Sequence, residues 1–334
     1  MIFVTGGTGL VGSHVLLKLL QRGKEVKALI RRNSSDKICR GVFKKYNSYD
    51  LFSKIQWVVG ELNDIASLEE TMKDCNMVLH CAAIVSFDPK DRDYMYKVNV
   101  EGTANVMNVA LSLPIEKVGY VSSIAALGES INGDYIDENC LFSNKKSVSY
   151  YSITKYLSEQ EVWRASAEGL NVVIINPSVI LGPGNWNQGS SQIFQKINNG
   201  LRFYTSGSTG YVDVLDVSEI LVQLLFSKHN NERFIVNAVN LKYRDCFDKI
   251  AIALNKPKAT IKVNWFLKEI VWRIEAVRSF FTKKSPLITK ETASNAMTNK
   301  SYDSSKISIA LNFKFIDIDQ TIKTYADWYK SSTK

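Results

Sequence analysis

Tyr151 and Lys155, in the run Tyr150-Tyr151-Ser152-Ile153-Thr154-Lys155, carry the clearest chemistry in this chain. Residues four apart on a helix share a face, one turn up. An ammonium there stabilises a phenolate, so Lys155 is expected to lower the Tyr151 pKa from about 10 toward neutrality. A phenol tuned in this way gives or takes a proton at a reacting oxygen. Taken alone, Tyr-x-x-x-Lys is a common chance match. It gains meaning from a second feature near the start of the chain, Thr5-Gly6-Gly7-Thr8-Gly9-Leu10-Val11-Gly12.

Gly6, Gly9 and Gly12 follow the strand-like run Ile2–Thr5 and open a helical pattern in which Val15, Leu16, Leu19 and Leu20 recur. In that context glycines at this spacing signal dinucleotide binding. Gly6 allows the tight turn, Gly9 lets a pyrophosphate approach the backbone, and Gly12 lets the helix pack closely on the sheet. Thr8, Leu10 and Val11 complete the loop, with the pyrophosphate at the helix N-terminus. An NAD site usually carries an acid about 20 residues past the loop, for the ribose 2′-hydroxyl. The stretch Ala28-Leu29-Ile30-Arg31-Arg32 has none. Arg31 and Arg32 can instead pair with a 2′-phosphate. The expected cofactor is therefore NADP, with NAD as the alternative. Glu61-Leu62 and Cys81-Ala82-Ala83 end the third and fourth strand-like runs and are expected to border the adenosine.

Positioning these residues requires a regular frame. Strand-like runs at Ile2–Thr5, Glu25–Ile30, Ile55–Val59, Met77–Cys81, Lys117–Ser122 and Asn171–Asn176 alternate with helical patterns at Gly12–Arg22, Ala66–Lys73, Asp93–Leu113 and Tyr151–Glu168. The alternation predicts an α/β fold, a Rossmann-type doubly wound parallel sheet. After Pro177 the rhythm loosens, and Gly182-Pro183-Gly184 and Gly207-Ser208-Thr209-Gly210 read as loops. Residues 1–180, with about 210–238, are expected to form the dinucleotide-binding domain. Residues 181–209 and 239–334 are expected to form a smaller, mostly helical C-terminal substrate lobe. Asp213 and Asp216 look catalytic by charge, but are read as caps of a helix beginning near Val217.

Bulk properties exclude several function classes. The 334 residues are 45% hydrophobic and 22% charged, ordinary for a globular protein. Cys39, Cys75, Cys81, Cys140 and Cys246 are scattered without a Cys-x-x-Cys, which favours reduced thiols and a cytoplasmic setting. His14, His80 and His229 lie far apart, so no metal site is expected. Met1 runs straight into a strand, which is read as leaving no room for an export signal. No run reaches the roughly 18 apolar residues of a membrane span. The net charge of +9 is dispersed, with no nucleic-acid-reading motif, and suits an anionic cofactor. The aromatic segment from Trp265 to Phe281, flanked by lysines and arginines, is expected to be an amphipathic helix of the small lobe. A membrane-surface role for it is the disfavoured alternative.

Taken in order along the chain, these motifs resemble the extended short-chain dehydrogenase/reductase superfamily, also called the NAD-dependent epimerase/dehydratase family. The matches are Thr5–Gly12, His80-Cys81-Ala82-Ala83, Asn99 with Gly102-Thr103, Ser122-Ser123, Tyr151 with Lys155, and Pro177 with Gly182-Pro183. The run Gly207–Val217 and the late Asp303-Ser304-Ser305-Lys306 with Leu311-Asn312-Phe313 are similar to its dihydroflavonol-4-reductase-like branch. The resemblance implies that Tyr151 exchanges the proton at a carbonyl or alcohol. It implies that Lys155 lowers the Tyr151 pKa and holds the nicotinamide ribose, and that Ser123 hydrogen-bonds the substrate oxygen, with Ser122 the alternative serine. Asn99 would fix the helix behind the site, and Pro177, Ser178 and Val179 would pass beside the nicotinamide.

Two departures bear on the chemistry. Sugar-nucleotide dehydratases of the family have an Asp-Glu pair after the catalytic Ser or Thr, whereas Ile124-Ala125 follow Ser123. Epimerases commonly have a Tyr before the glycine that is Gly128 here, and an Arg near the Tyr211 strand. Leu127 and Gly210-Tyr211-Val212 offer neither. The expected activity is an NADP(H)-dependent oxidoreductase acting on a small-molecule ketone or aldehyde, as monomer or homodimer. A nucleotide-sugar epimerase or dehydratase with bound NAD is the first alternative, and a non-catalytic NADP-sensing regulator the second. Trp186, Phe194, Phe203, Tyr204, Trp265 and Phe266 are candidate walls of an apolar cleft, or else core of the small lobe.

Overall fold

The computed structural model describes residues 1–130, 135–143, 148–264, 272–273 and 296–332. Of the expected aromatic helix from Trp265 to Phe281, only Trp272 and Arg273 fall among the described residues, so that expectation lies outside them. The described strands are β1 (Ile2–Thr5), β2 (Val26–Ile30), β3 (Gln56–Val59), β4 (Met77–His80), β5 (Lys117–Val121), β6 (Val172–Pro177), β7 (Val179–Leu181), β8 (Phe203–Tyr204), β9 (Ser208–Asp213), β10 (Glu232–Val236), β11 (Val239–Lys242) and β12 (Ile261–Lys262). Seven of them form one parallel sheet in the order β3-β2-β1-β4-β5-β6-β10.

Parallel strands buried on both faces need apolar side chains on both, and these have them. Within β1, Ile2 and Val4 join the core under the helices Leu10–Gln21 and Val214–Phe226, with Val15, Leu16, Val217 and Leu221. Phe3, between them, faces the opposite core of Leu68, Val106 and Val162. The two-residue period of a strand thus feeds two helical layers at once. This is the Rossmann-type doubly wound architecture that the alternation predicts. The strand order reverses between β1 and β4, which opens a crevice at the carboxyl ends.

Beyond β6 the chain builds a second, smaller part. β11, β9 and β7 form a mixed three-stranded sheet, and β12 pairs with β8. Helices Gln192–Asn198, Tyr243–Ala253 and Ile318–Ser332 close over a third core that includes Phe194, Tyr211, Ile250 and Tyr325.

Two expectations need correction. Gly207–Gly210 is not all loop, because β9 starts at Ser208. Gly210 serves in that strand as a close-approach position: a Cβ there would lie 2.1 Å from Asn237 Oδ1. The following helix begins at Val214, earlier than Val217. Asp213 is its N-cap and accepts from Leu215 N at 2.8 Å. Asp216 does not cap it; the carboxylate accepts from Ile316 N at 2.9 Å, tying the C-terminal segment down.

The glycine loop supplies the sharpest steric test. A Cβ on Gly12 would lie 2.1 Å from the Gly6 carbonyl oxygen, so Gly12→Ala must push helix and loop apart. Gly41, inside the helix Lys37–Lys45, has nothing within 4 Å of the same point. Gly12→Ala should lower the melting temperature by several degrees, whereas Gly41→Ala should leave it unchanged or raise it, since helical Gly costs about 0.5–1 kcal/mol. Thermal melts of both variants decide it; equal behaviour would contradict the packing.

Candidate active site

The glycine loop lies at the switch point. Gly6 adopts φ +71°, a left-handed conformation that favours glycine, and its Cα side abuts Ala82, where a Cβ would lie 2.7 Å from Ala82 N. The expected border of Cys81-Ala82-Ala83 thus meets the loop. Gly9, the N-cap of the helix Leu10–Gln21, offers no side-chain cap, and the first turn holds no acid. The first-turn N–H groups have no helical acceptor, so this helix start is suited to an anion. Gly182, beyond β7, packs on the same turn: a Cβ there would come within 2.9 Å of Leu10.

A buried polar chain runs behind the loop. Thr5 Oγ1 accepts from Ala82 N at 3.2 Å and meets His80 Nδ1 at 2.6 Å. His80 Nε2 lies 2.9 Å from Thr103 Oγ1, which donates to the Asn99 carbonyl at 2.5 Å. The direction of these bonds fixes a neutral imidazole with its proton on Nε2. Burial, aided by the nearby Lys155 charge, pushes the His80 pKa down to about 3. The Asn99 carbonyl also accepts from Ser158 Oγ at 2.7 Å; Asn99 lies in the π turn Lys97–Glu101 within the helical stretch from Arg92 to Ser112. The Asn99 amide grips Ile84 through both Oδ1 and Nδ2 and donates to Thr154 Oγ1 at 3.2 Å.

Tyr151 and Lys155 lie on the helix Tyr150–Ala167, capped by Ser149. Lys155 is buried, and its Nζ donates to Tyr120 Oη and to the Val121 carbonyl, each at 2.8 Å. Burial lowers its pKa to about 7, with Glu159 and Cys81 opposing. Burial raises the Tyr151 pKa, against a lowering hydrogen bond from Ser123. The expected lowering of the Tyr151 pKa by Lys155 is therefore corrected. In this structure the amine is engaged by Tyr120 and Val121, and burial keeps the phenol protonated.

The two serines separate cleanly. Ser122 Oγ donates to the buried Glu159 Oε2 at 2.5 Å, a carboxylate that also receives Asn176 Nδ2 at 2.8 Å and Arg233 Nη1 at 3.0 Å. Ser123 instead begins the turn Ile124–Ala126, its Oγ accepting from Ala125 N at 3.1 Å, and it is the serine that meets Tyr151. Next to β6, Ser178 N donates to Val236 O at 3.0 Å, which anchors the Pro177-Ser178-Val179 passage.

Arg31, Arg32, Asn33, Ser34 and Glu61 line a depression of about 300 Å³ at the ends of β2 and β3. Arg31 donates to Tyr94 Oη at 2.8 Å and to Ser34 Oγ at 3.3 Å. Leu62 packs under Gly102 beside that corner, where a Cβ on Gly102 would lie 2.9 Å from Leu62 Cβ.

The aromatic expectations divide. Trp186 packs at 5.8 Å from Phe194 and 5.2 Å from Tyr329, and Phe194 is fully buried, so both belong to the small core and not to a cleft wall. Phe203 is exposed and Tyr204 lies under Arg244, while Trp265 and Phe266 lie outside the described residues. Phe87, which sequence reasoning passed over, stands edge-on to Tyr151 at 6.1 Å and is partly exposed. No periodic signal marks it, because it sits in an irregular stretch after β4.

Comparison with known proteins agrees in family and fold. The model of the NAD dependent epimerase/dehydratase family matches residues 2–237. A Synechocystis sp. protein provisionally named dihydroflavonol 4-reductase is 30% identical over 98% of this chain and 94% of its own. Cinnamoyl-CoA reductase 1 of Petunia hybrida is 27% identical over 70% of this chain and 72% of its own. The crystal structure of gox2253 superposes with a TM-score of 0.81 at 26% identity, covering 99% of this chain and 98% of that one.

The serine geometry gives a paired expectation. Ser123→Ala should cut turnover by about 10²-fold or more with little change in stability, as loss of a group at the reacting oxygen predicts. Ser122→Ala should largely spare turnover while costing about 1.5–3 kcal/mol, the usual worth of a hydrogen bond to a charged group. Denaturant unfolding and steady-state rates of both variants measure the split, and the reverse pattern would exchange their roles.

Proposed function

This chain belongs to the NAD-dependent epimerase/dehydratase family, and on that premise we propose that it is an NADP(H)-dependent reductase of a ketone or aldehyde. It is an oxidoreductase of the extended short-chain dehydrogenase/reductase type. The observation that carries the finer reading is the company of Tyr151: Ser123 against its hydroxyl, and burial that keeps it protonated. A neutral phenol beside a serine suits donation of a proton to a carbonyl oxygen as it is reduced.

The cofactor fits the residues present. The uncapped helix start at Leu10 and the bare backbone of Gly9 suit a pyrophosphate. Arg31 and Arg32 suit a 2′-phosphate, with Tyr94 and Ser34 bracketing the Arg31 guanidinium. A bound nicotinamide would supply or accept the hydride. Lys155 would hold the neighbouring ribose hydroxyls, and Ser123 would orient the substrate oxygen for Tyr151. Residues 1–180 with about 210–238 would form the cofactor-binding part, and residues 181–209 with 239–334 the substrate part.

Two observations favour reduction over sugar-nucleotide chemistry. No carboxylate pair follows Ser123, where Ile124-Ala125 turn instead, so water elimination lacks its acid and base. Tyr211, at the position where epimerases of the family have an arginine nearby, is buried in the small core with Leu181 and Phe194. Phe87 beside Tyr151 fits an apolar carbonyl compound, and both relatives named above are reductases by name.

Tyr151→Phe should leave NADPH binding within a few-fold while turnover on a panel of aldehydes and ketones falls by about 10²–10⁴-fold. Undiminished turnover in that variant would sink the role of Tyr151. Net consumption of NADPH by the wild type separates reduction from a redox-neutral epimerisation.

Arg31→Ala tests the cofactor reading independently. Loss of a charge-assisted pair should weaken NADPH by roughly 10- to 150-fold and change NADH by no more than a few-fold. Fluorescence titration with both nucleotides is the measurement; equal loss for the two would make Arg31 merely structural.

A further inference from the structure

We propose that Tyr120 is a positioning residue for Lys155, its buried hydroxyl being the side-chain acceptor that holds the ammonium ready for the cofactor ribose. The inference rests on the reading of Lys155 as the ribose-holding residue. Tyr120 lies in β5, two positions before the Ser122-Ser123 pair, and is 1% exposed. Its ring stacks on His80 at 5.5 Å between centroids, and His80 is itself locked by Thr5 and Thr103. The ring is therefore fixed from behind, and its hydroxyl meets Lys155 Nζ at 2.8 Å.

The other groups around Lys155 leave this role to Tyr120. The Asn99 amide is committed to Ile84 and Thr154. Glu159, one turn along the helix, receives Ser122, Asn176, Trp163 and Arg233. His80 and Cys81 face the amine from β4 and its end, and Tyr151 lies on the same helix. His80 is neutral with both ring nitrogens engaged, and burial pushes the Cys81 thiol up to about 12. What remains for Nζ is the Val121 carbonyl, which no substitution removes, the Tyr120 ring 4.5 Å away, which phenylalanine keeps, and the Tyr120 hydroxyl. An oxygen that accepts from an ammonium favours the charged form over the neutral amine. Burial opposes that form and brings the Lys155 pKa to about 7, so a lost acceptor changes its charge within the working pH range.

The sign follows directly. Lys155 is charged below its pKa, so NADPH affinity should fall as pH rises through about 7 in the wild type. Tyr120→Phe keeps the ring on His80 and removes only the hydroxyl. Its break should move about one to two pH units lower, the equivalent of one hydrogen bond to a charged group. The loss of affinity against wild type should then be roughly 10-fold or more at pH 8 and shrink toward pH 5.

Fluorescence titration with NADPH from pH 5 to 9, on wild type, Tyr120→Phe and Lys155→Met, is the experiment. Lys155→Met should show no break near pH 7. A break in Tyr120→Phe that coincides with the wild type, or a loss equal at every pH, overturns the proposal. A fall in affinity through pH 7 that persists in Lys155→Met overturns instead the ribose-holding reading of Lys155; the rise through about pH 6 from ionisation of the 2′-phosphate is common to all three proteins.

Discussion

Glu159 is the constraint on which the site depends. Its buried carboxylate sits on the helix that carries Tyr151 and Lys155 and receives Ser122 from the end of β5, Asn176 from β6 and Arg233 from β10. Three neighbouring strands are thereby tied to one point of one helix. A buried charge is costly unless paired and hydrogen-bonded, and this one has both a guanidinium and neutral donors. The arrangement fixes the rotation of the helix about its axis. Four residues before Glu159, on the same face, Lys155 is brought against β5, and Tyr151 follows one turn earlier. Such a network contributes less to net stability than to holding a single geometry, since an apolar replacement could match its energy but not its directionality.

A second polar chain does the same work at the other side of the switch point. It runs from Ala82 through Thr5, His80 and Thr103 to the Asn99 carbonyl, and from there to Ser158 on the helix Tyr150–Ala167. Thr5 ends β1 immediately before the glycine loop, so this loop and the helix that carries Tyr151 and Lys155 share one hydrogen-bonded spine. Asn99 lies in the π turn Lys97–Glu101, and its carbonyl accepts two hydroxyls, one from Thr103 a turn on and one from Ser158 on the neighbouring helix. His80 can serve in the spine only as a neutral ring, and its burial keeps it so.

Much of the frame was legible in the sequence because its signals are local. The strands β1 to β6 and the four expected helices follow from runs and periodicities within about ten residues, and their observed ends differ from the expected ones by no more than about two residues, whereas the helices Lys37–Lys45 and Tyr49–Phe52 between β2 and β3 were not expected. The need for glycine at Gly6 and Gly12 was legible for the same reason, each answering a close contact of the loop with its surroundings. What was not legible depends on topology. The partner of Lys155 is Tyr120, which only the β5 register brings to it, and the choice between Ser122 and Ser123 waits on Glu159. The pKa expectation for Tyr151 failed on the same account. Spacing on a helix gives proximity, but the direction of the amine was set by acceptors on a strand. For Trp186 and Phe194 the sequence left wall and core open, since aromatic content alone does not distinguish them, and the packing puts both in the core.

The site also shows how a modest positive charge is distributed to purpose. Arg31 and Arg32 stand at the open corner beyond β2, where water screens them but a phosphate can still displace it and pair with them. At the chemical end the opposite environment prevails: the Lys155 amine is buried, its charge poised near neutrality, and the Tyr151 phenol is kept neutral by the same burial. One ligand spanning both ends would therefore be bound by unconditional charges at the adenosine side and by conditional ones at the reacting side. Affinity held by the first does not require the second to be committed in advance. That separation would let groups at the Tyr151 end change protonation while a bound nucleotide stayed anchored through its far end.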